Sequence, residues 1–175
     1  MYKLRELERK DLKLINIWRN DSELIECLGA PYRYINMQTD EKWFDNYMNH
    51  RNSQVRCAIV SAEDDTILGL VSLTGIDHMN QTATFHIMIG DPKNQGKGIG
   101  TFGVQEMVKH AFLNLNIRRI ELSVIEENKR AQNLYEKNGF KYEGCKRKAR
   151  FKNGKFINVF LYSLLYEEYI FDKTM

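Results

Sequence analysis

Three glycines spaced two residues apart, Gly96, Gly98 and Gly100, most constrain what this chain can fold into. They follow an apolar run at 87–89, which has the composition of a buried strand, and precede a long stretch with helical apolar spacing. Glycine lets a backbone adopt positive φ and approach a ligand closely, because it has no Cβ. Free N–H groups and the positive dipole end at a helix start bind anions. The stretch 87–101 therefore predicts a strand, a phosphate-binding loop and a helix.

Two familiar phosphate motifs fit this loop poorly. A Walker P-loop is excluded because Asp91 stands where its first glycine is required and Gly98 stands where Ser or Thr is required. A dinucleotide-binding G-x-G-x-x-G pattern is matched by Gly98, Gly100 and Gly103. However, a strand of that fold runs almost directly into its first glycine, whereas here eight residues separate Ile89 from Gly98. The dinucleotide alternative stays open but is disfavoured.

A third motif, Gln95-x-x-Gly98-x-Gly100, resembles the acyl-CoA pyrophosphate loop of the GNAT superfamily of N-acetyltransferases. A second block begins at Asn128 and follows the pattern N-x-x-A-x-x-L-Y-x-x-x-G-F as far as Phe140, which resembles the second cofactor element of that superfamily. The resemblance extends over almost the whole chain. It is to the branch that holds ribosomal-protein N-terminal, spermidine and nucleotide-linked amino-sugar N-acetyltransferases.

The predicted elements run β-α-α-α-β-β-β-α-β-α-β-β, which is an α+β order and matches the GNAT order. Asp11 is expected to cap the first helix and Thr39 the third. Asn153-Gly154 predicts a hairpin turn between the last two strands. The resemblance implies a single acyl-CoA-dependent domain over residues 1–175. Its mixed central β-sheet would have about seven strands flanked by helices, with the central strands splayed.

The resemblance also implies acetyl-CoA as the cofactor and assigns its contacts. The backbone of the splayed strand would pair with the pantetheine arm, and one of its N–H groups could act as oxyanion donor. Asn128 is in addition a helix N-cap by position, and Ala131 is small enough to let the cofactor pass. The predicted cofactor-binding residues are Met88, Ile89, Gln95, Gly96, Lys97, Gly98, Ile99, Gly100, Thr101, Asn128, Ala131 and Tyr135.

Tyr135 matches the family tyrosine that acts as general acid towards the leaving thiolate. A phenol with a pKa near 10 can protonate a thiolate whose acid has a pKa near 8.5 at modest cost. The alternative is an aromatic residue that only packs. Many relatives carry the base as a Glu in an Ala-Glu pair, but this chain has Ala83-Thr84 there. His86 projects from the same strand face as Thr84 and is the candidate base, unless it is a hydrogen-bonded strand histidine or a water chain serves instead.

The acceptor amine is less well defined by the sequence. Aromatic and cationic residues in the first turns and one later turn are the predicted acceptor-binding set: Trp18, Arg19, Tyr32, Tyr34 and His78. The segment 141–155 contains seven basic residues and a single acidic residue, Glu143. This strip is either a solvated hairpin or a surface that attracts an anion and repels a polyamine.

Motif similarity favours a nucleotide-linked amino sugar as the acceptor. Acetylation of ribosomal-protein N-termini or of polyamines is an alternative. A non-catalytic module that binds acyl-CoA as a sensor is an alternative of a different class, because the Ala-Glu carboxylate is missing.

Composition and residue spacing argue against several other kinds of protein, such as nucleic-acid-binding, membrane-spanning and metal-binding ones. The net charge of +3 is too small to predict nucleic-acid binding, and no apolar run approaches the roughly 20 residues that span a bilayer. Three widely spaced cysteines are expected to be reduced thiols in a cytoplasmic protein. No metal-ligand spacing is present, so no metal is expected. The expected partner is a small-molecule amine, and a homodimer is implied by the resemblance alone.

Overall fold

A seven-stranded mixed sheet with helices on both faces organises the computed structural model, which describes residues 1–174. The strands are Tyr2–Glu6 (β1), Val55–Ser61 (β2), Ile67–Asp77 (β3), Thr82–Ile89 (β4), Arg119–Ile125 (β5), Lys141–Lys152 (β6) and Lys155–Leu165 (β7). The helices are Leu12–Arg19 (α1), Ser22–Glu26 (α2), Met37–Asn49 (α3), Ile99–Asn114 (α4), Lys129–Lys137 (α5) and Tyr166–Thr174 (α6). The predicted α+β class and strand number are confirmed. None of these helices has the length and apolar character needed to cross a bilayer.

The two central strands separate part of the way along their length. The sheet order is β1-β2-β3-β4-β5-β7-β6, and β4 with β5 is its parallel pair. Their pairing ends at Thr84 with Glu121, although β4 continues to Ile89 and β5 to Ile125. Beyond that pair the facing edges of β4 and β5 have no ladder partner within residues 1–174, and we call this opening the gap. The predicted splay is confirmed, and the mainly antiparallel sheet excludes the dinucleotide-binding alternative.

Side chains alternate between the two sheet faces, and each face carries its own cluster of buried residues. On β4, Ala83 and Phe85 join the larger cluster, which includes residues of α4 and α5. The opposite face, which we call the α1/α3 face, packs Ile15 and Phe44 in a second cluster. Met88 packs beside this second cluster. The gap therefore opens onto two different surfaces, one on each side of the sheet.

Three local details differ from the sequence-based expectations. α3 is capped by Asn36, whose Oδ1 accepts the backbone N–H of Thr39, so the predicted cap residue is the one that donates. The Asp11 carboxylate does not cap α1 but accepts two hydrogen bonds from Arg5, at 2.7 and 2.8 Å. The helix α6 was not predicted, and it is stabilised at its start because Glu168 accepts the N–H of Leu165 at 3.0 Å.

The hairpin prediction is confirmed. Asn153 and Gly154 have φ of +48° and +77°, the left-handed values that a two-residue hairpin turn requires at both positions.

Candidate active site

The loop between β4 and α4 has the backbone geometry of an anion site. Gly96 and Gly98 have φ of +79° and +82°, values that side chains disfavour. Within residues 1–174, no hydrogen bond engages the N–H groups from Gly96 to Thr101. These free donors lie at the start of α4, a 16-residue helix whose dipole adds to their attraction for negative charge. The loop therefore fits the pyrophosphate of an acyl-CoA.

Neighbouring elements hold this loop in place. The Gln95 Oε1 accepts a hydrogen bond from Arg130 of α5, and the Lys97 carbonyl accepts one from the Tyr2 hydroxyl of β1 at 3.0 Å. The Ile99 side chain is buried in the core, so this residue can offer a ligand only its backbone. This anchoring holds the loop in a conformation in which the N–H groups from Gly96 to Thr101 have no partner among the described residues.

Gly98→Ala is expected to raise the acetyl-CoA Kd about 10-fold. An L-residue in the left-handed region costs roughly 1–2 kcal/mol, and relief of that strain would rotate the adjoining N–H groups away from the phosphate. Isothermal titration with acetyl-CoA measures the change. Gly144→Ala is the control, because a Cβ there meets nothing within 4 Å and the residue has no positive φ. Equal Kd values for the two variants would contradict the role of Gly98.

The second cofactor element begins at Asn128, which is the N-cap of α5, as predicted. Its Oδ1 accepts the N–H of Ala131 at 3.0 Å, and its Nδ2 donates to the Cys27 carbonyl at 2.7 Å. The side chain thus joins α5 to the end of α2. α5 also approaches the glycine loop closely, because a Cβ on Gly100 would lie 3.2 Å from Leu134. Contacts of Asn128 and Ala131 with the cofactor stay predictions.

Tyr135 lies on the cofactor side of the gap, only 7% exposed. Its ring packs against the rings of Phe85, Phe140 and Tyr162, with centroids 5.9–6.4 Å away. Among the hydrogen bonds of the residues described, none involves its hydroxyl, so this O–H is available to a ligand. The packing prediction and the catalytic one are therefore compatible.

Burial changes the acid chemistry of Tyr135. It raises the pKa of the phenol to about 12. Complete proton transfer to a thiolate whose acid has a pKa near 8.5 would then cost about 5 kcal/mol, which corrects the modest cost expected from the sequence. A neutral hydroxyl of this kind stabilises a thiolate better as a hydrogen-bond donor than as a full proton donor.

Four polar side chains line the gap on the α1/α3 face: Thr84 and His86 of β4, and Glu121 and Ser123 of β5. We call this set the polar floor. Glu121 and Ser123 are exposed although β5 is an interior strand of the sheet. The alternation of residues 119–125 signals that these two side chains share a face, but sequence reasoning missed Glu121 as a site residue. The missing information was the register that pairs it with Thr84.

His86 of the polar floor also faces a cavity. Its Nε2 lies 2.9 Å from the Thr74 hydroxyl, so it is a hydrogen-bonded strand histidine. Desolvation and, secondarily, the charge of Arg56 lower the pKa of His86 below its ordinary value. A lowered pKa favours the neutral imidazole, which is the form that the predicted base requires, and the role of His86 as base stays a prediction. The cavity of about 350 Å³ is lined by Ser53, Gln54, Arg56, Ser72, Thr74, Gly75 and His86.

Among the described residues that line this cavity, Arg56 carries a charge and none has a carboxylate. The guanidinium donates two hydrogen bonds to Gln54, at 3.0 and 2.9 Å, and stacks 4.9 Å from the centroid of the Trp43 ring. Desolvation is the main cause that lowers the pKa of Arg56, but arginine stays charged at neutral pH. Because it contains a guanidinium and lacks a carboxylate, the cavity suits hydroxyl or anionic groups of a ligand better than a ligand ammonium group.

The predicted acceptor residues near α1 are largely engaged within the fold. Trp18 is buried against the backbone that follows β4, since a Cβ on Gly90 would lie 1.9 Å from its ring. Arg19 forms an ion pair with the fully buried Asp40. Its charge is thus compensated internally, and an acceptor contact by Arg19 or Trp18 would need these interactions to change.

Tyr32, Tyr34 and His78 lie in different places. The two tyrosine rings are in edge contact at 5.4 Å, and Tyr34 is almost fully exposed, so this pair remains a candidate acceptor contact. His78 precedes β4, with its Nε2 3.1 Å from the Asn52 carbonyl oxygen. The length of β4 separates it from Met88 by roughly 20 Å. His78 thus lies towards the opposite end of β4 from Met88, and its contact with the acceptor stays a prediction.

The basic strip of 141–155 is smaller than its composition suggested. Lys152 is buried and its Nζ donates to the carbonyls of Ile25 and Leu28, at 2.7 and 2.6 Å. Lys141 and Lys155 form ion pairs with glutamates. The basic residues of the strip without an ion pair to any described residue are Lys146, Arg147, Lys148 and Arg150. Two of these, Arg147 and Lys148, line a second cavity of about 710 Å³ together with Asn158.

Comparison with known proteins relates this geometry to a family. A family model described as "Acetyltransferase (GNAT) domain" matches residues 2–141. The chain is 31% identical over 168 residues to the spermidine N(1)-acetyltransferase of Vibrio cholerae, which covers 95% of this chain and 94% of that protein. It is 27% identical over 149 residues to the ribosomal-protein-serine acetyltransferase of Escherichia coli, covering 84% and 82%.

A solved structure extends the comparison to three dimensions. The crystal structure of the V. cholerae spermidine N-acetyltransferase in complex with CoA and spermine matches with a TM-score of 0.89 and 30% identity. The match covers 97% of this chain and 98% of that one.

Proposed function

This chain belongs to the GNAT acetyltransferase family and is an acetyl-CoA-dependent N-acetyltransferase, and we propose that its acceptor is the primary amine of a polyamine. The observation that carries the proposal is the similarity, over nearly the whole chain, to spermidine N-acetyltransferases. We further propose that residues 1–175 form one catalytic domain, because a single continuous sheet includes all seven strands. Family membership leaves the non-catalytic sensor alternative without support.

Different residues around the gap would bind the cofactor and stabilise the leaving thiolate. Acetyl-CoA, when bound, supplies an acetyl group activated as a thioester. The N–H groups from Gly96 to Thr101 hold its pyrophosphate, and the unpaired edge of β4 at Met88 and Ile89 offers backbone groups to the pantetheine arm. Tyr135 donates its free hydroxyl towards the sulfur. Acetyl transfer then takes place where the cofactor side of the gap meets the polar floor.

A nucleotide-linked amino sugar is the second candidate acceptor, and a specific observation favours it. The cavity beside His86 contains Arg56 and no carboxylate, which suits sugar hydroxyls or a phosphate and disfavours a polycation. The unpaired Arg147 and Lys148 near the last hairpin add further positive charge. A polyamine would have to place its distal ammonium away from these residues.

Free-thiol release from acetyl-CoA in the presence of different amines tests the proposal. The panel comprises spermidine, spermine, nucleotide-linked amino sugars and peptides with free N-termini. We expect the highest kcat/KM for a polyamine, by at least 10-fold. A higher value for an amino-sugar nucleotide would replace the first proposal with the second.

Arg56→Gln is expected to lower the KM for spermidine about threefold, because it removes a positive charge from the cavity next to the polar floor. For an anionic acceptor the same change would raise KM, so the sign of the effect distinguishes the two candidates. Initial rates at low and physiological ionic strength measure it, since screening should shrink a charge effect. Lys109→Gln, on the exposed surface of α4, is the matched control and should leave KM unchanged.

A further inference from the structure

Glu121 is the acidic member of the polar floor, and the chemistry described so far does not use it. We propose that the Glu121 carboxylate binds the acceptor amine at the gap and accepts the proton that the nitrogen loses on acetylation. The inference rests on the amine acetylation proposed above, and it holds for a polyamine or an amino sugar alike.

The position of Glu121 follows from the register of the sheet. It pairs with Thr84 in the last rung before β4 and β5 separate. Paired strands lie about 4.8 Å apart, and paired residues point to the same face. The carboxylate therefore stands at the closed end of the gap, beside Thr84 and on the face that also carries His86. A ligand amine that reaches the closed end of the gap from this face would lie close to it.

Glu121 is held less tightly by its neighbours than Glu143, the other glutamate on this part of the sheet. Glu143 accepts two hydrogen bonds from Arg119, at 2.8 and 2.6 Å, and one from Ser163 at 2.7 Å. These bonds, led by those of Arg119, lower the pKa of Glu143 to about 2. Among the described residues, Glu121 forms an ion pair with Arg119 at the longer distance of 3.7 Å, and its side chain is 51% exposed. Its oxygens thus remain available to a ligand.

The surroundings supply a route for the amine. On the α1/α3 face the second cluster covers β2 and the end of β4, but Glu121 and Ser123 of β5 remain exposed. Polar exposed residues at the centre of the sheet, next to unpaired strand edges, give the amine access to the gap from the side opposite Tyr135.

The proton balance is simple. The neutral amine nitrogen forms a bond to the acetyl carbon, and the carbon–sulfur bond breaks with its electron pair remaining on sulfur. The nitrogen, which carries positive charge as the C–N bond forms, releases one proton to the Glu121 carboxylate. The Tyr135 hydroxyl stabilises the thiolate by a hydrogen bond. Glu121 then returns its proton to solvent or to the product thiolate, and no further reactant is needed.

Kinetics of Glu121→Gln test the inference with whichever amine supports turnover by the wild-type protein. We expect kcat/KM to fall at least 30-fold while the acetyl-CoA Kd stays within twofold. Glu121→Asp should retain a larger share of the activity. The double variant E121Q/T84E returns a carboxylate to the adjacent position of the same face and should recover at least 10-fold of the loss. Glu63→Gln, at an exposed turn, is the control for the loss of one negative charge.

The outcomes separate this inference from the proposed function. A fall of less than 10-fold in E121Q would overturn it, as would a larger loss that neither E121D nor E121Q/T84E recovers. A weakened acetyl-CoA affinity in E121Q would also overturn it, because Glu121 would then support the cofactor site. A wild-type enzyme that prefers an amino sugar would change only the acceptor assignment and would leave the role of Glu121 to be decided by the same variants.

Discussion

Replacing Tyr135 with phenylalanine is expected to lower kcat about 100-fold while the acetyl-CoA Kd stays within twofold. The phenylalanine ring keeps the contacts with Phe85, Phe140 and Tyr162, so folding and the cofactor loop should be preserved. The variant loses only the hydroxyl, which no other described residue engages and which would donate to the departing sulfur. Loss of a positioned proton or hydrogen-bond donor typically costs 10²–10⁴-fold in rate. Steady-state thiol release and calorimetric titration measure the two quantities.

Tyr162→Phe is the matched control for Tyr135. Its ring belongs to the same aromatic group, but its hydroxyl donates to Glu136 at 2.9 Å. We expect a change of less than threefold in kcat. If Tyr135→Phe turned over as fast as Tyr162→Phe, the phenol of Tyr135 would have no part in the reaction.

The high pKa of Tyr135 also predicts the shape of the pH profile. Burial raises that pKa to about 12, so the phenol keeps its proton at pH values where an exposed tyrosine ionises. Tyr135 should therefore cause no decline in kcat between pH 8 and 10. A decline that disappeared in Tyr135→Phe would contradict this expectation.

Asp40→Ala is expected to destabilise the protein by about 3–5 kcal/mol. Asp40 is fully buried, where it pairs with Arg19 and accepts a hydrogen bond from Asn16 at 2.7 Å. Removal of the carboxylate leaves the partly buried Arg19 charge and the Asn16 amide without this partner. For a chain of this size the melting temperature should fall by roughly 10 °C, which differential scanning calorimetry measures.

The same change should affect the acceptor more than the cofactor. Asn16 and Asn20 both donate to the Ile35 carbonyl, at 2.9 and 2.7 Å, so the network around Asp40 also holds the segment that carries Tyr32. We expect the acceptor KM to rise and the acetyl-CoA Kd to change little below the melting temperature. Asp45→Ala removes an exposed ion pair from the same helix and should cost less than about 1 kcal/mol. Equal destabilisation by both variants would show that burial of Asp40 contributes nothing.

Local sequence patterns were sufficient to predict many of the secondary-structure elements, helix caps and turns of this protein. The Gln95-x-x-Gly98-x-Gly100 motif predicted a strand, a loop and a helix with free N–H groups, and all three are present. Asn128 was predicted as a helix cap and Asn153-Gly154 as a hairpin turn, because each preference comes from the residue's own backbone and nearest neighbours. The resemblance carried by the motifs predicted the family, the element order and the splayed central strands.

Interactions between distant parts of the chain were decided only by the tertiary structure. Lys152 appeared to be one more solvated cation, but it donates to carbonyls more than 120 residues away at the end of α2. Arg19 looked like an acceptor contact, yet it pairs with Asp40. The roles of such charges depend on which partners the packed fold brings near them, and a linear pattern of charge contains no such information.

In the candidate site, too, some features were predicted from local sequence and others depended on the tertiary structure. The sequence alone predicted the cofactor loop and nominated Tyr135, since both belong to contiguous motifs that are recognised within a few residues. The tertiary structure alone placed Glu121 beside Thr84, because the register of two parallel strands depends on packing across the whole sheet. The acid chemistry of Tyr135 was likewise decided there, since its raised pKa comes from burial among rings on four different segments.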